Sequence, residues 1–391
     1  MFAARCLRIG LTAGVASLTL IGAATSGAAA DAASAGAWAQ PGYGPGQTYY
    51  NPGETTINAT TMGKVADRFT TDLPEAAGES CTRPAPPLVS GGRVFVADTT
   101  GIGAYAAGTG KPLWQHTWQN PEDKSTPYLA VSNGLLLAGT SGCQSASDPN
   151  GTVRALDVTN GRQRWAQEFD TPVDSLVVDR SVVAVGGESE SDLPTVRGLD
   201  VTTGRLRWTL PRFTSPGVAS QGRLLLTRTT AAQMVAVNVT TGKALWTRPQ
   251  KWQAEMATAD RFFVTNGAGT LISLNAVNGA SQWTAPKAAG RNATDGRRIY
   301  HPTGRTVEAF DVTTGKRVWW RTFLGDVGQP VRAGGLVYAA VQGRTVGVMN
   351  AANGQPIATT WTSGLASTNR VTVAAGHIYT VAGNTLTGSG L

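Results

Sequence analysis

One short phrase recurs along this chain: an Asp or Asn, a Gly four residues on, and a Trp four residues beyond the Gly. It reads Asp157, Gly161, Trp165; Asp200, Gly204, Trp208; Asn238, Gly242, Trp246; Asn275, Gly279, Trp283; and Asp311, Gly315, Trp319. Gly110 with Trp114 repeats it without the acid, and Gly354 marks an imperfect seventh unit. Successive glycines lie 36 to 51 residues apart. Between them, short apolar runs such as Leu224 to Thr227 and Met234 to Asn238 alternate with Gly, Thr and Asn, the pattern of strands joined by tight turns. A period near forty with strand content predicts the blades of a β-propeller.

Each residue of the phrase has a mechanical role. The Asp or Asn side chain accepts from backbone amides two residues on, and the Gly takes the positive φ of a tight turn into the outermost strand. The Trp carries a large apolar face to the seam between blades. One aromatic per repeat is what blade packing requires, so these tryptophans are read as scaffold and not as cofactor-stacking rings.

The chain ends decide the blade count. The last unit, Ile378 to Leu386, has inner strands but no Gly…Trp outer strand before Leu391. An orphan outer strand stands near the other end, from Gly63 to Phe69, its aromatic on the strand face that the Trp occupies elsewhere. Pairing the two closes the ring. The expectation is an all-β, eight-bladed propeller of four-stranded antiparallel blades spanning residues 57–391, with residues 31–56 an irregular segment packed on the ring.

Residues 1–30 read as a secretory signal: Arg5 and Arg8, an apolar stretch around Leu18 to Ile21, then small residues from Ala28. The apolar run is short and diluted by Gly, Ser and Thr, which disfavours a transmembrane span. Cys6 precedes that run and is not placed for lipidation. The expected mature chain is therefore secreted or extracytoplasmic, monomeric, and without a transmembrane segment. Net charge over the chain is +8, and Arg5 and Arg8 are the only charges in the leader, so the mature chain stays basic. Arg162, Arg164, Arg205, Arg207, Lys243, Lys316 and Arg317 flank outer strands, where charge discourages edge-to-edge aggregation. The rival reading is a surface that attracts anionic polymers or lipid head groups. Nucleic acid is not an expected partner, because no binding motif accompanies the charge.

Cys81 and Cys143 remain after export, and an oxidising compartment predicts that they pair. Their loops are expected on one face, and the bridge would stabilise by roughly 4 kcal/mol in the chain-entropy model.

The stretches Ala155 to Trp165 and Ala309 to Trp319 resemble the pyrroloquinoline-quinone repeat of the quinoprotein-like β-propellers. The lead-in from Trp38 and Gln40 to Asn51-Pro52-Gly53-Glu54-Thr55-Thr56-Ile57-Asn58 is similar to segments preceding the first blade in exported members. The resemblance spans the mature chain. It implies the propeller fold but leaves function open, since the family holds quinone-dependent dehydrogenases as well as cofactor-free propellers such as the outer-membrane assembly lipoprotein. The dehydrogenases carry adjacent cysteines beside the quinone and a calcium site of Glu, Asn and Asp. Here no two cysteines are adjacent, and no calcium triad can be matched. No lipidation signal matches the assembly lipoprotein either.

No catalytic constellation stands out. His116, His301 and His377 fall in different units without paired spacing and read as satisfied strand or edge residues. The glycine-rich turns do not precede helices, so they carry no nucleotide signature. The individual stretches are two loops that interrupt the repeat, Gly139 to Gly151 and Gly186 to Pro194, both expected on one face with the Asn120 to Lys124 connection. Loops on a rigid scaffold are where binding resides, which makes Glu188, Glu190, Asp192, Asp148 and Glu122 the candidate ligand-face residues. Three alternating acids fall short of the six or more oxygens that calcium takes, so no metal site is expected. The resulting expectation is a non-catalytic binding or scaffolding propeller for an exported protein, peptide or cell-envelope polymer, with no cofactor. The alternatives are a PQQ- and calcium-dependent oxidoreductase of alcohols or sugars, and a structural adhesion module.

Overall fold

The computed structural model describes residues 1, 36–83, 85–145, 147–342, 345–357 and 371–391. Residues 2–30 of the expected export signal lie outside the described residues. Eight sheets follow one another around a ring, antiparallel except where Tyr50–Asn51 adds a parallel strand inside Val331–Ala333 of the seventh. Blade 1 runs outward through Leu88–Ser90, Arg93–Ala97, Gly101–Ala106 and Pro112–Thr117. Blade 2 runs likewise from Tyr128–Ser132 to Gln163–Phe169, and blade 3 from Ser175–Asp179 to Leu206–Pro211. Blade 4 runs from Ala219–Ser220 to Ala244–Arg248, blade 5 from Gln253–Ala257 to Ser281–Ala285, and blade 6 from Ala293–Thr294 to Arg317–Thr322. Blade 7 contains Val331–Ala333, Leu336–Val341 and Thr345–Asn350, followed by a bridge from Pro356 to Met349. Among the described residues there is no α-helix, only the 3-10 turns Met62–Lys64 and Pro121–Asp123.

Blade 8 is composite. Thr372–Ala374, His377–Ala382 and Thr385–Gly390 take their outermost strand from Ala66–Asp72, antiparallel to Thr385–Gly390. The ring thus closes through the N-terminal strand. Its apolar core crosses that junction without a break: Phe95, Leu136, Tyr338 and Tyr379, from blades 1, 2, 7 and 8, are buried in one cluster.

The repeated phrase builds the seams. In the third blade, Asp200 Oδ1 accepts from the amides of Thr202 and Thr203 at 3.0 and 2.8 Å, and Gly204 takes φ 71°. The Trp then docks on the next blade's turn. Trp165 donates Nε1–H to the Val201 carbonyl at 2.9 Å and Trp208 to Val239 at 2.8 Å, and Trp114, Trp246, Trp283 and Trp319 repeat the bond. The glycine is needed for a second reason here. A Cβ on Gly204 would stand 2.7 Å from the Trp165 ring, and one on Gly161 2.6 Å from the Trp114 ring. At the closing seam Phe69 fills the Trp position against Gly110 but has no N–H to donate. The Tyr379 hydroxyl supplies the missing bond, donating to the Ala107 carbonyl at 3.0 Å.

Residues 37–54 run inside the ring. Trp38 pairs with Val89 of blade 1, the Ala39 carbonyl accepts from Val131 N of blade 2, and the Gln40 amide exchanges two bonds with Val178 of blade 3. The carbonyls of Pro45, Gly46, Thr48 and Tyr49 accept in turn from Ala219, Ala257, Thr294 and Arg332, on blades 4 to 7. Asn51 donates to the Val373 carbonyl at 3.0 Å, and Glu54 accepts from Gly376 N at 2.8 Å, both on blade 8.

Candidate binding face

Strand direction gives the ring two unlike ends. Each innermost strand starts from the connector that enters its blade, and the second strand returns to that end, so the loop between second and third strands lies beside the connectors. The other end carries the hairpins between first and second strands and the turns of the repeated phrase. Those turns at Gly161, Gly204, Gly242, Gly279 and Gly315 share one geometry, with φ between 68° and 71°.

The connector end is individual. Cys81, before blade 1, is bonded to Cys143 in the long loop of blade 2, across a sequence separation of 62. The connector between those blades is held to the same loop: Asp123 Oδ1 accepts from the amides of Cys143 and Gln144, each at 2.8 Å. These bonds, the Gln144 amide foremost, hold the Asp123 carboxyl below its usual range. Glu122 stands in the 3-10 turn Pro121–Asp123, its carbonyl 3.6 and 3.4 Å from the two sulfurs.

The loops of blades 2 and 3 also touch. Ser191 donates through its amide and its hydroxyl to the Ser147 carbonyl, at 3.3 and 3.1 Å, which places Asp148 beside the acidic loop. Asp192 is turned back into its own loop by Ser189, whose hydroxyl donates to it at 2.8 Å. Glu188, Glu190 and Asp192 do not converge: no group of three His, Cys, Asp or Glu able to hold a metal ion occurs among the described residues. His116, His301 and His377 stay on blades 1, 6 and 8. Burial lowers the first two below the ordinary histidine value, His301 Nδ1 lying 2.9 Å from Asn292 Oδ1.

At this end the connectors of blades 1 to 4, with Val381 and Gly383 of blade 8, line a funnel of about 680 Å³. Its wall includes Arg83, Tyr128, Asp174 and Ser215, and its floor is Pro41 and Gln47 of the inner segment. Gln47 is fastened to the wall, donating to the Gly217 carbonyl at 3.4 Å. Burial raises the Asp174 carboxyl above the usual carboxylate value, and it accepts from Glu188 N at 3.1 Å, so the acidic loop and the funnel share a residue. The Ser175 hydroxyl oxygen, also at the wall, is buried with no hydrogen-bond partner among the described residues. Sequence reasoning did not single out these funnel residues. One signal for them was present, a polar residue and a Pro shortly ahead of the inner strands of blades 2 and 4, Thr126-Pro127 and Ser215-Pro216.

A family model described as outer membrane protein assembly factor BamB matches residues 51–191, 98–250 and 192–388. The chain belongs to that family. No curated protein matches it. Its fold is similar to BamB from Moraxella catarrhalis, at 17% identity and a TM-score of 0.61 over 84% of this chain and 98% of that one. A quinohemoprotein alcohol dehydrogenase from Pseudomonas putida is similar at 12% identity and a TM-score of 0.68, over 91% of this chain and 80% of that one. The corresponding enzyme from Comamonas testosteroni gives 13%, 0.68, 92% and 81%. Identities this low speak for the shared fold alone. The two cysteines, far apart in sequence, are bonded to each other on outer loops rather than adjacent, and Pro41 and Gln47 of the inner segment line the funnel.

Proposed function

We propose that this protein is an extracytoplasmic, non-catalytic binding propeller that takes another exported protein, a peptide or a cell-envelope polymer on its connector end. The asymmetry between its two ends carries this reading. One end repeats the turn of the phrase beside the hairpins between first and second strands, whereas the other gathers a funnel, a disulfide-fastened loop and an acidic loop. A rigid scaffold that concentrates its variety at one end has the form of a recognition surface. The family description, an assembly factor, is compatible with a protein partner.

The test compares three proteins for capture of components from the secreted and envelope fractions: the wild type, a funnel variant Arg83→Ala/Asp174→Ala, and a turn-end variant Arg205→Ser/Arg207→Ser. The reading expects a component bound by the wild type and the turn-end variant but released by the funnel variant, at unchanged Tm. Loss only with the turn-end variant places binding at the wrong end. A Tm increase with added pyrroloquinoline quinone and calcium, together with dye reduction by an alcohol or sugar, replaces binding with oxidoreductase chemistry.

A further inference from the structure

We infer that residues 37–54 are an inner clasp: they hold the ring closed from within and shut its axial channel at the hairpin end. This holds whether or not the funnel takes a ligand. Three observations carry it. The segment meets the blades in their own order, Trp38 on the first, Ala39 on the second, Gln40 on the third, and so on to Asn51 and Glu54 on the eighth. It therefore makes one full circuit of the axis. The circuit also closes on itself, since Asn51 Nδ2 reaches back to the Ala37 carbonyl at 3.4 Å.

The second observation is the kind of bond. On blades 2 and 4 to 7 the donor is an inner-strand amide and the acceptor a clasp carbonyl, at 2.7 to 2.8 Å. Such amides on the innermost edge have no further strand to pair with, and a buried amide left unpaired is destabilising. The clasp satisfies them around the ring. Most of these contacts fall toward the C-terminal ends of the inner strands, at Val131, Val178, Ala257 and Thr294, which is the end opposite the funnel mouth.

The third is the backbone. Tyr43, Gln47 and Tyr49 have φ of 79°, 51° and 51°, a region that non-glycine residues rarely hold unless their surroundings impose it. Gly46 is needed where it stands, because a Cβ there would run into the Ala257 carbonyl oxygen. An isolated peptide would not keep this path, so the ring imposes it and is joined by it. The lock sits at the exit. Glu54 is buried, and its carboxylate accepts from Thr56 and Ile57 at 2.8 and 3.0 Å as well as from Gly376. From there the chain leaves to supply the outer strand Ala66–Asp72. One terminal segment thus fastens the ring at its inner and its outer radius.

The experiment is amide hydrogen exchange on the full chain, well below Tm, for wild type, Glu54→Ala, Asn51→Ala and the exposed control Thr60→Ala. Glu54→Gln stands in where the Ala variant does not fold, because it keeps the side-chain shape and replaces one accepting oxygen by a donor. The clasp predicts at least tenfold faster exchange at Ala219, Ala257 and Thr294, on blades 4 to 6, which neither substituted side chain touches. Middle strands, at Leu136 and Val183, should keep wild-type rates, and Thr60→Ala should match wild type throughout. Faster exchange confined to Thr56, Ile57 and Gly376 would overturn the inference, leaving a lead-in that fills available space. Uniform acceleration at middle and inner strands alike overturns it too, because that is global destabilisation.

Discussion

At the scale of single residues, the repeated acid is a hydrogen-bond acceptor first and a charge second. Asp157 is held well below its usual range by the Thr159 hydroxyl and then by Arg164, and Asp311 is lowered chiefly by the Thr314 amide. Burial pushes Asp200 up, yet Arg207 and the Thr203 amide outweigh it and its carboxyl is lowered. A carboxyl depressed by folding binds fewer protons folded than unfolded. Its contribution is therefore complete above the unfolded value of about 4 and is lost as pH falls through the folded value. Asn238 and Asn275 make the same turn without charge, accepting from Thr240 and Val277, both at 2.9 Å. A triple Asp157→Asn, Asp200→Asn, Asp311→Asn variant should consequently match the wild-type Tm near neutrality, since its exposed ion pairs contribute little. Its Tm should fall less steeply below about pH 4. Equal slopes in calorimetric scans across that range would show that these carboxylates do not govern the acid limb. The Trp has a different liability. Trp208→Phe leaves the buried Val239 carbonyl without its donor and should lower stability by about 1–3 kcal/mol in urea titration.

At the scale of elements, the closing strand follows from the same packing rule. Thr385–Gly390 would be a bare edge without Ala66–Asp72, and unpaired edges recruit other chains. Deleting residues 31–70 should give aggregation or a large loss in Tm, read by size exclusion and scanning fluorimetry. A monomeric truncation that melts as the full chain does would contradict closure through this strand. The blades and their closure were legible because the signals are local: acid, glycine and tryptophan within nine residues, and an aromatic at Phe69 on a matching strand face. The inner path of residues 37–54 was not. Packing against the ring was expected from the aromatics of the lead-in, but its partners stand 138 residues away for Gln40 and 322 for Asn51. Most of its bonds are made by main-chain atoms, which leave no side-chain pattern to read. The funnel was hidden for the same reason, its wall being drawn one connector at a time from separate blades.

At the scale of the whole molecule, the ring is uniform at one end and fastened at the other. No helix among the described residues is long and apolar enough to cross a membrane. The rim exposes Leu206, Leu245, Val318 and Trp320, with the Arg317 guanidinium 4.9 Å over the Trp320 ring. The connector end is different in kind, because its loops are tied to one another. The Cys81–Cys143 bond joins the entry to blade 1 to the long loop of blade 2, Asp123 ties the intervening connector to that loop, and Ser191 ties the loop of blade 3 to it. Closing a loop across a separation of 62 residues stabilises by about 4 kcal/mol in the chain-entropy model. The paired substitution Cys81→Ser/Cys143→Ser should lower Tm in proportion and speed exchange in the connectors of blades 1 to 3, leaving the Gly242 and Gly279 turns at wild-type rates. If recognition lies at this end, the same variant should also lose capture of the bound component, by disordering the loops that present Glu188, Glu190 and Asp192. Loosened loops with undiminished capture would instead separate the bridge, as a stabilising element, from the binding surface.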